Sequence, residues 1–156
     1  MSTAVQPLHQ ATHQAGLQAS QTLAGDSHGL LDTSVIIDYD VIDPLELPDL
    51  SAVSAITMAE LTVGPLAAGQ DDEERARRQD RLQWAAGTWD PLPFDNAAAR
   101  AYGRIYSALL RRGPVGRRRL ADFLIAAVAL ANDLPIYTRN AADLRGLEEL
   151  LAVRSM

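Results

Sequence analysis

The chain has 156 residues, 47% apolar and 22% charged, which suits one domain that buries its own core without cross-links. It contains no cysteine, which excludes disulfides, thiolate-bound zinc and a cysteine nucleophile, so a metal site must be built from oxygen ligands or from the three histidines. Fourteen Arg, no Lys and twenty acids give a net charge of −6; this argues against a generic basic nucleic-acid binder but is compatible with a metal-dependent nuclease whose acids are neutralised by cations.

No apolar run approaches the roughly 18 to 20 residues that span a bilayer. The N-terminus lacks a basic-then-apolar signal pattern, so a cytoplasmic protein without membrane contact is expected. Residues 1–28 carry all three His and five Gln but few large apolar side chains. They have little to bury and read as a poorly ordered polar extension ahead of a domain over 29–156. His9 and His13 are spaced i, i+4, a metal-compatible spacing that a solvated tail explains as well.

Leu30-Leu31 reads as a buried strand ending at Asp32, with Thr33 or Ser34 capping the short helix that begins with Val35-Ile36-Ile37. Asp40–Leu50, with two Pro and several acids, is a loop. Ser51–Ile56 reads as a second strand, and Thr57 as the cap of a helix running toward Gly69. Glu60 stands three residues after Thr57, the capping-box spacing, so a purely structural explanation is available for it. Asp71–Ala86 opens on DDEE and carries Arg75, Arg77, Arg78 and Arg81 further on, as suits a solvated helix with acids at its N-terminus. Leu82 and Trp84-Ala85 would face the body.

Trp89–Phe94, interrupted by Pro91 and Pro93, is a marginal strand. Asp95 or Asn96 caps a helix over Ala97–Arg111 whose apolar stripe is Ala98, Tyr102, Ile105, Tyr106 and Leu109. Gly113-Pro114-Val115-Gly116 breaks it, and Arg111, Arg112, Arg117, Arg118 and Arg119 place five guanidinium groups within nine residues. A solvated loop and a phosphate-binding loop are competing readings. Leu120–Ala131 is the strongest helix, with Leu120, Leu124, Ala127 and Val128 on one side and Asp122 in its first turn. Leu134–Tyr137 is a strand leading into Thr138-Arg139-Asn140-Ala141-Ala142-Asp143, and Leu150–Val153 is an edge strand. Strands alternating with helices predict a mainly parallel sheet covered on both faces, a three-layer α/β/α fold.

In such a sheet Asp32, Glu60, Asp122 and Asp143 all fall at the rim formed by the carboxyl ends of the strands. Like charges gathered in one cleft need a compensating cation. Carboxylate oxygens suit Mg²⁺ or Mn²⁺ better than zinc, and the matching chemistry is hydrolysis of a phosphodiester.

LLDTSVII, TMAEL, LADFLIAA and IYTRNAADL, in this order and spacing, resemble the PIN domain over residues 29–156, most closely the VapC toxins of bacterial VapBC toxin–antitoxin pairs. The resemblance implies that Asp32, Glu60, Asp122 and Asp143 bind metal and carry catalysis, with Thr33, Ser34, Thr138 and Asn140 as polar neighbours. Asn140 stands where some relatives have a further acid. It also implies a Mg²⁺- or Mn²⁺-dependent endoribonuclease that cuts structured RNA, tRNA or rRNA, and arrests translation. The partners it implies are a second copy in a homodimer and a small VapB-type antitoxin, through which alone DNA is contacted.

Two readings compete with the ribonuclease. A phosphatase with Asp32 as aspartyl nucleophile usually has a second acid two positions on, where this chain has Ser34. A non-catalytic RNA- or protein-binding module would treat the four acids as caps and dipole partners, with the Arg-rich loop as its contact surface.

Overall fold

Leu30 and Leu31 are both fully buried, yet they serve opposite faces of one sheet. In the computed structural model, which describes residues 6–7 and 28–156, five short strands lie parallel: β1 (Gln6–Pro7), β2 (His28–Leu31), β3 (Leu50–Ala52), β4 (Ile136–Thr138) and β5 (Val153–Ser155). Their order is β1-β3-β2-β4-β5. In register, Leu30 pairs with Ile136 and Leu31 with Tyr137. Pro7 lies on an edge strand, where its missing N–H costs the sheet nothing. Apart from Gln6, Pro7 and His28, the polar extension lies outside the described residues, His9 and His13 included.

Five α-helices stand among the described residues: α1 (Thr33–Ile37), α2 (Ala55–Val63), α3 (Asp72–Thr88), α4 (Asn96–Leu110) and α5 (Leu120–Ala131). Leu30, Ala52 and Ile136 pack with Ile105 of α4 and with Phe123 and Ile125 of α5. Leu31, Val53 and Tyr137 pack on the other face with Val35 and Ile36 of α1, Leu61 of α2, Ala85 of α3, and Trp89. This is the three-layer α/β/α arrangement that the alternation of elements predicts. The Trp89 indole, nearly buried, donates to Ser51 Oγ at 3.0 Å, so its one polar atom is satisfied.

Helix starts differ from the sequence reading in ways that matter for the site. The β3 strand ends at Ala52, and Ser54, in extended backbone, is the N-cap of α2, its Oγ accepting from Thr57 N at 3.0 Å. Thr57 is therefore inside the helix, and Glu60 lies in its second turn, beyond capping reach. Asp32 occupies the N-cap position of α1 in place of Thr33 or Ser34, with no side-chain cap bond.

Other departures follow from packing. In α4 the buried stripe is Ala98, Ala101, Ile105 and Ala108, while Tyr106 is exposed. Small residues at 101 and 108 allow close approach to α5, and the bulkier Tyr side chains are turned to the margin. Ile125 to Ala129 of α5 are all fully buried, because this helix is wedged between the sheet and α4 and also touches α2. Leu120, expected in its apolar face, sits at the open first position and is exposed; Phe123 fills the core instead. Trp89–Phe94 contributes one isolated bridge, Leu92 to Ser54. The last strand begins at Val153, since Leu151 turns into the core ahead of it.

Connections from β2 lead to β3 on one side, and those from β4 lead to β5 on the other. The carboxyl ends of β2 and β4 thus border the point where the winding reverses, the place where open α/β sheets form a crevice.

Candidate active site

Asp32 follows β2 directly and Thr138 ends β4, so adjacent strands deliver them side by side. Asp32 is 5% exposed, and its Oδ2 accepts from Ser34 Oγ and from Thr138 Oγ1, each at 2.8 Å. The backbone N–H of Arg139 donates to Ser34 Oγ at 3.1 Å and that of Asn140 to Thr138 Oγ1 at 3.0 Å. Each hydroxyl oxygen is thereby engaged as an acceptor, and its hydrogen is directed at Asp32. The strand-to-loop backbone after β4 sets the orientation of the carboxylate.

Glu60 reaches the same region from α2, where its Oε2 accepts the hydrogen of the Thr33 hydroxyl. Asp122 projects from the first turn of α5, and Asp143 from a short 3₁₀ turn, Ala141–Leu144, after β4. Asp122 is half-buried, and its carboxyl is pushed up to about 6. Burial is the largest cause, followed by repulsion from Asp32, Asp143 and Glu60, with Arg119 opposing weakly. Arg119 also lies 3.3 Å from Asp143. The four acids therefore share one electrostatic environment, in which negative charge is only partly compensated.

Among the described residues no hydrogen-bond donor approaches Asp32 Oδ1, Glu60 Oε1 or either oxygen of Asp122. Hard oxygen acceptors that take no protein donor, gathered where like charges repel, are the donor set that a divalent cation takes. No three acidic or His side chains among the described residues form a closed metal cage. The chemistry of these oxygens suits such an ion, and as they stand they do not enclose one.

Of the remaining polar neighbours, Thr33, Ser34 and Thr138 belong to this network. Asn140 contributes its backbone N–H, while its side chain is exposed. The Arg-rich loop divides. Arg112, Arg118 and Arg119 line a cavity beside Gly113–Gly116, Arg111 is exposed at the end of α4, and only the backbone of Arg117 is described. Two Arg that the sequence reading did not single out also lie nearby. Arg145 lines the same cavity, and Arg139 pairs with Asp38 at 3.2 Å. Both are isolated in sequence, so no clustering signal marks them. A second cavity, about 510 Å³, opens beside Thr33 and Glu60 between α1, α2 and α3, with Ile37, Leu61, Arg77, Arg78 and Arg81 among its walls.

The PIN domain family matches residues 29–145. Ribonuclease VapC5 of Mycobacterium tuberculosis is 40% identical over 115 residues, which is 72% of this chain and 82% of that protein. Ribonuclease VapC8 of the same species is 38% identical over 102 residues, 65% of this chain and 89% of that protein. Among solved structures, VapBC-5 from M. tuberculosis, a member of the VapBC family of toxin–antitoxin systems, superposes with a TM-score of 0.71 at 36% identity, covering 83% of this chain and 98% of the matched one. The chain belongs to the PIN-domain family and, within it, to the VapC proteins.

Proposed function

We propose that this protein is a divalent-metal-dependent endoribonuclease, the toxin of a toxin–antitoxin pair, which hydrolyses phosphodiester bonds in structured RNA, tRNA or rRNA, and so inhibits translation. The observation that carries the reading is the set of carboxylate oxygens on Asp32, Glu60 and Asp122 that take no protein hydrogen bond, where burial together with repulsion from the other acids holds Asp122 well above the usual carboxylate range. The relatives named ribonucleases support the reaction class.

In this reading Asp32, Glu60 and Asp122 hold Mg²⁺ or Mn²⁺, and Asp143 completes the site directly or through water. The chemistry such an ion supplies is a lowered pKa for water and neutralisation of charge on the phosphodiester oxygens. Thr138 and Ser34 keep Asp32 in one orientation, and Thr33 does the same for Glu60, so ligand oxygens need not reorganise when RNA arrives. Water attacks phosphorus, the bond to the leaving ribose oxygen breaks, and that oxygen takes up a proton. Arg119, beside Asp143, adds a fixed positive charge at the edge of the cleft.

The cognate partner is a VapB-type antitoxin. A protein partner is supported by exposed apolar side chains: Ile37, which lines the cavity next to Glu60, and Val63, on the helix that carries Glu60, are each 56% exposed, and Leu66 just beyond that helix is 80% exposed. The family resemblance carries the homodimer, with DNA contacted only through the antitoxin.

The test is cleavage of total bacterial RNA by purified protein freed of antitoxin, with Mg²⁺ or Mn²⁺ and with chelator, beside Asp122→Asn. Discrete fragments that need both the cation and Asp122 are expected. Full cleavage in chelator, or by the folded Asp122→Asn protein, would overturn the assignment.

A further inference from the structure

The cavity beside the Gly113–Gly116 loop holds about 470 Å³ and is built from two kinds of surface. Leu109, Val115 and Phe123 give it an apolar lining, while Arg112, Arg118, Arg119 and Arg145 supply four guanidinium groups. On a chain of net charge −6 this concentration is unusual, and the other main group of Arg shows why it matters. On α3, Arg75 pairs with Asp72, Arg77 and Arg78 with Glu74, and Arg81 with Asp40, so those charges are spent within the protein. At the cavity, Arg118 makes no ion pair within 4.0 Å among the described residues, and Arg145 acts on Glu148 only from beyond that distance. Arg112 is 4.0 Å from Glu148, and Arg119 is 3.3 Å from Asp143. Arg112 packs closely over Gly146, where an added Cβ would fall 2.9 Å from Arg112 Cδ. Positive charge is therefore left over here, next to an apolar lining, and Arg119 connects the cavity to the acid cluster.

Apolar contact for a base combined with guanidinium groups for phosphate is the chemistry that takes an unstacked nucleotide. The volume lies within the range of small-ligand pockets, too small for a duplex. Resting on the ribonuclease reading above, we propose that this cavity is a substrate subsite for one unpaired nucleotide of the RNA. Its base lies against Leu109 and Val115, and its phosphate among Arg112, Arg118 and Arg145. Arg119 stands between this nucleotide and the bond to be cut. The enzyme would thereby select RNA carrying a splayed-out residue near the cleavage point over continuous helix.

The test uses full-length protein carrying Asp122→Asn, so that RNA is bound and not cut, with and without Arg118→Ala and Arg145→Ala, two positions that form no ion pair within 4.0 Å among the described residues. Binding is measured with a hairpin RNA containing an unpaired loop and with a fully paired duplex of equal length. The double variant is expected to bind the hairpin at least tenfold more weakly, with a salt dependence shallower by about 0.7 for each phosphate it no longer neutralises, and to bind the duplex as before. Val115→Glu should reproduce the selective weakening. Equal weakening toward both RNAs would make the Arg a general electrostatic surface and overturn the subsite, as would unchanged binding to both. A mononucleotide abolishing the hairpin preference at a millimolar concentration where inorganic phosphate does not would support the subsite, and equal competition by the two would overturn the base contact. Failure of the parent protein to cleave RNA in the assay above would count against the ribonuclease reading instead, since the binding comparison does not depend on turnover.

Discussion

Thr138 Oγ1 donates to Asp32 Oδ2 at 2.8 Å across 106 residues of sequence, tying the end of β4 to the end of β2 at the point where the sheet reverses its winding. Thr138 is 1% exposed, and its oxygen accepts from Asn140 N in turn. Thr138→Val keeps the β-branched shape but deletes both bonds. It should cost about 1–3 kcal/mol, the typical penalty for leaving buried partners unsatisfied. Affinity for Mn²⁺ should fall on the order of tenfold as Asp32 loses its orientation. Chemical denaturation and a Mn²⁺ titration read the two effects separately, and unchanged Mn²⁺ affinity would show that the Thr138 hydroxyl serves folding alone.

Glu60 is the position where sequence and structure part most usefully. The Thr57-to-Glu60 spacing offers a capping box, yet Ser54 performs the capping and Glu60 instead accepts from Thr33. Ser54→Ala should therefore destabilise the fold by about 1 kcal/mol. Glu60→Gln should leave stability within about 0.5 kcal/mol while removing cleavage. Thermal melts beside the RNA assay distinguish them; a Glu60→Gln protein that melts like Ser54→Ala and still cleaves would return Glu60 to a structural role.

Gly29 offers a test of the scaffold under the site. A Cβ at this position would come 2.3 Å from Tyr137 Cε2 and 2.6 Å from Cδ2, with Pro48 Cγ at 3.2 Å. The Tyr137 ring is 8% exposed and packed in the core below Asp32, so it has little room to move. Gly29→Ala should lose about 1–3 kcal/mol from overpacking, although alanine is ordinarily benign in a strand. Urea denaturation measures it, and wild-type stability would mean that the ring swings aside freely.

The layer architecture was legible because alternating strands and helices, each with a clear apolar pattern, leave few ways to bury both faces of a sheet. Of the site, Asp32 and Asp143 follow strands and Asp122 lies in a helix first turn as the sequence suggests, whereas Glu60 stands in the second turn of its helix. What could not be read were effects of three-dimensional packing on small residues. Ser54 and Thr57 are equally good caps in sequence, and only the length of β3 decides between them. Tyr106 and Ala108 both fit a helical stripe, and close packing against α5 selects the alanine. Arg145 carries no local signal, since its place at the cavity depends on the turn after Asp143 folding back toward the end of α4.

Asp122 ties stability, pH and cation together. Its carboxyl is pushed up to about 6 in the fold against 3.8 ordinarily. Between these values the folded chain keeps a proton that the unfolded chain has lost, so stability of the metal-free protein falls as pH rises through this window. At pH 7.5 the charged carboxylate is carried at a cost that Asp122→Asn removes. The variant should be more stable there by about 1 kcal/mol, a figure discounted for the half-open position of the group, and should lose its advantage near pH 3.5. Mg²⁺ should reverse the order by stabilising the wild type, more at pH 7.5 than at pH 5, where protons compete for Asp122. Melting curves at the three pH values, with and without Mg²⁺, read all of this. A variant less stable than wild type at pH 7.5 without cation would mean that the repulsion among these acids is relieved some other way.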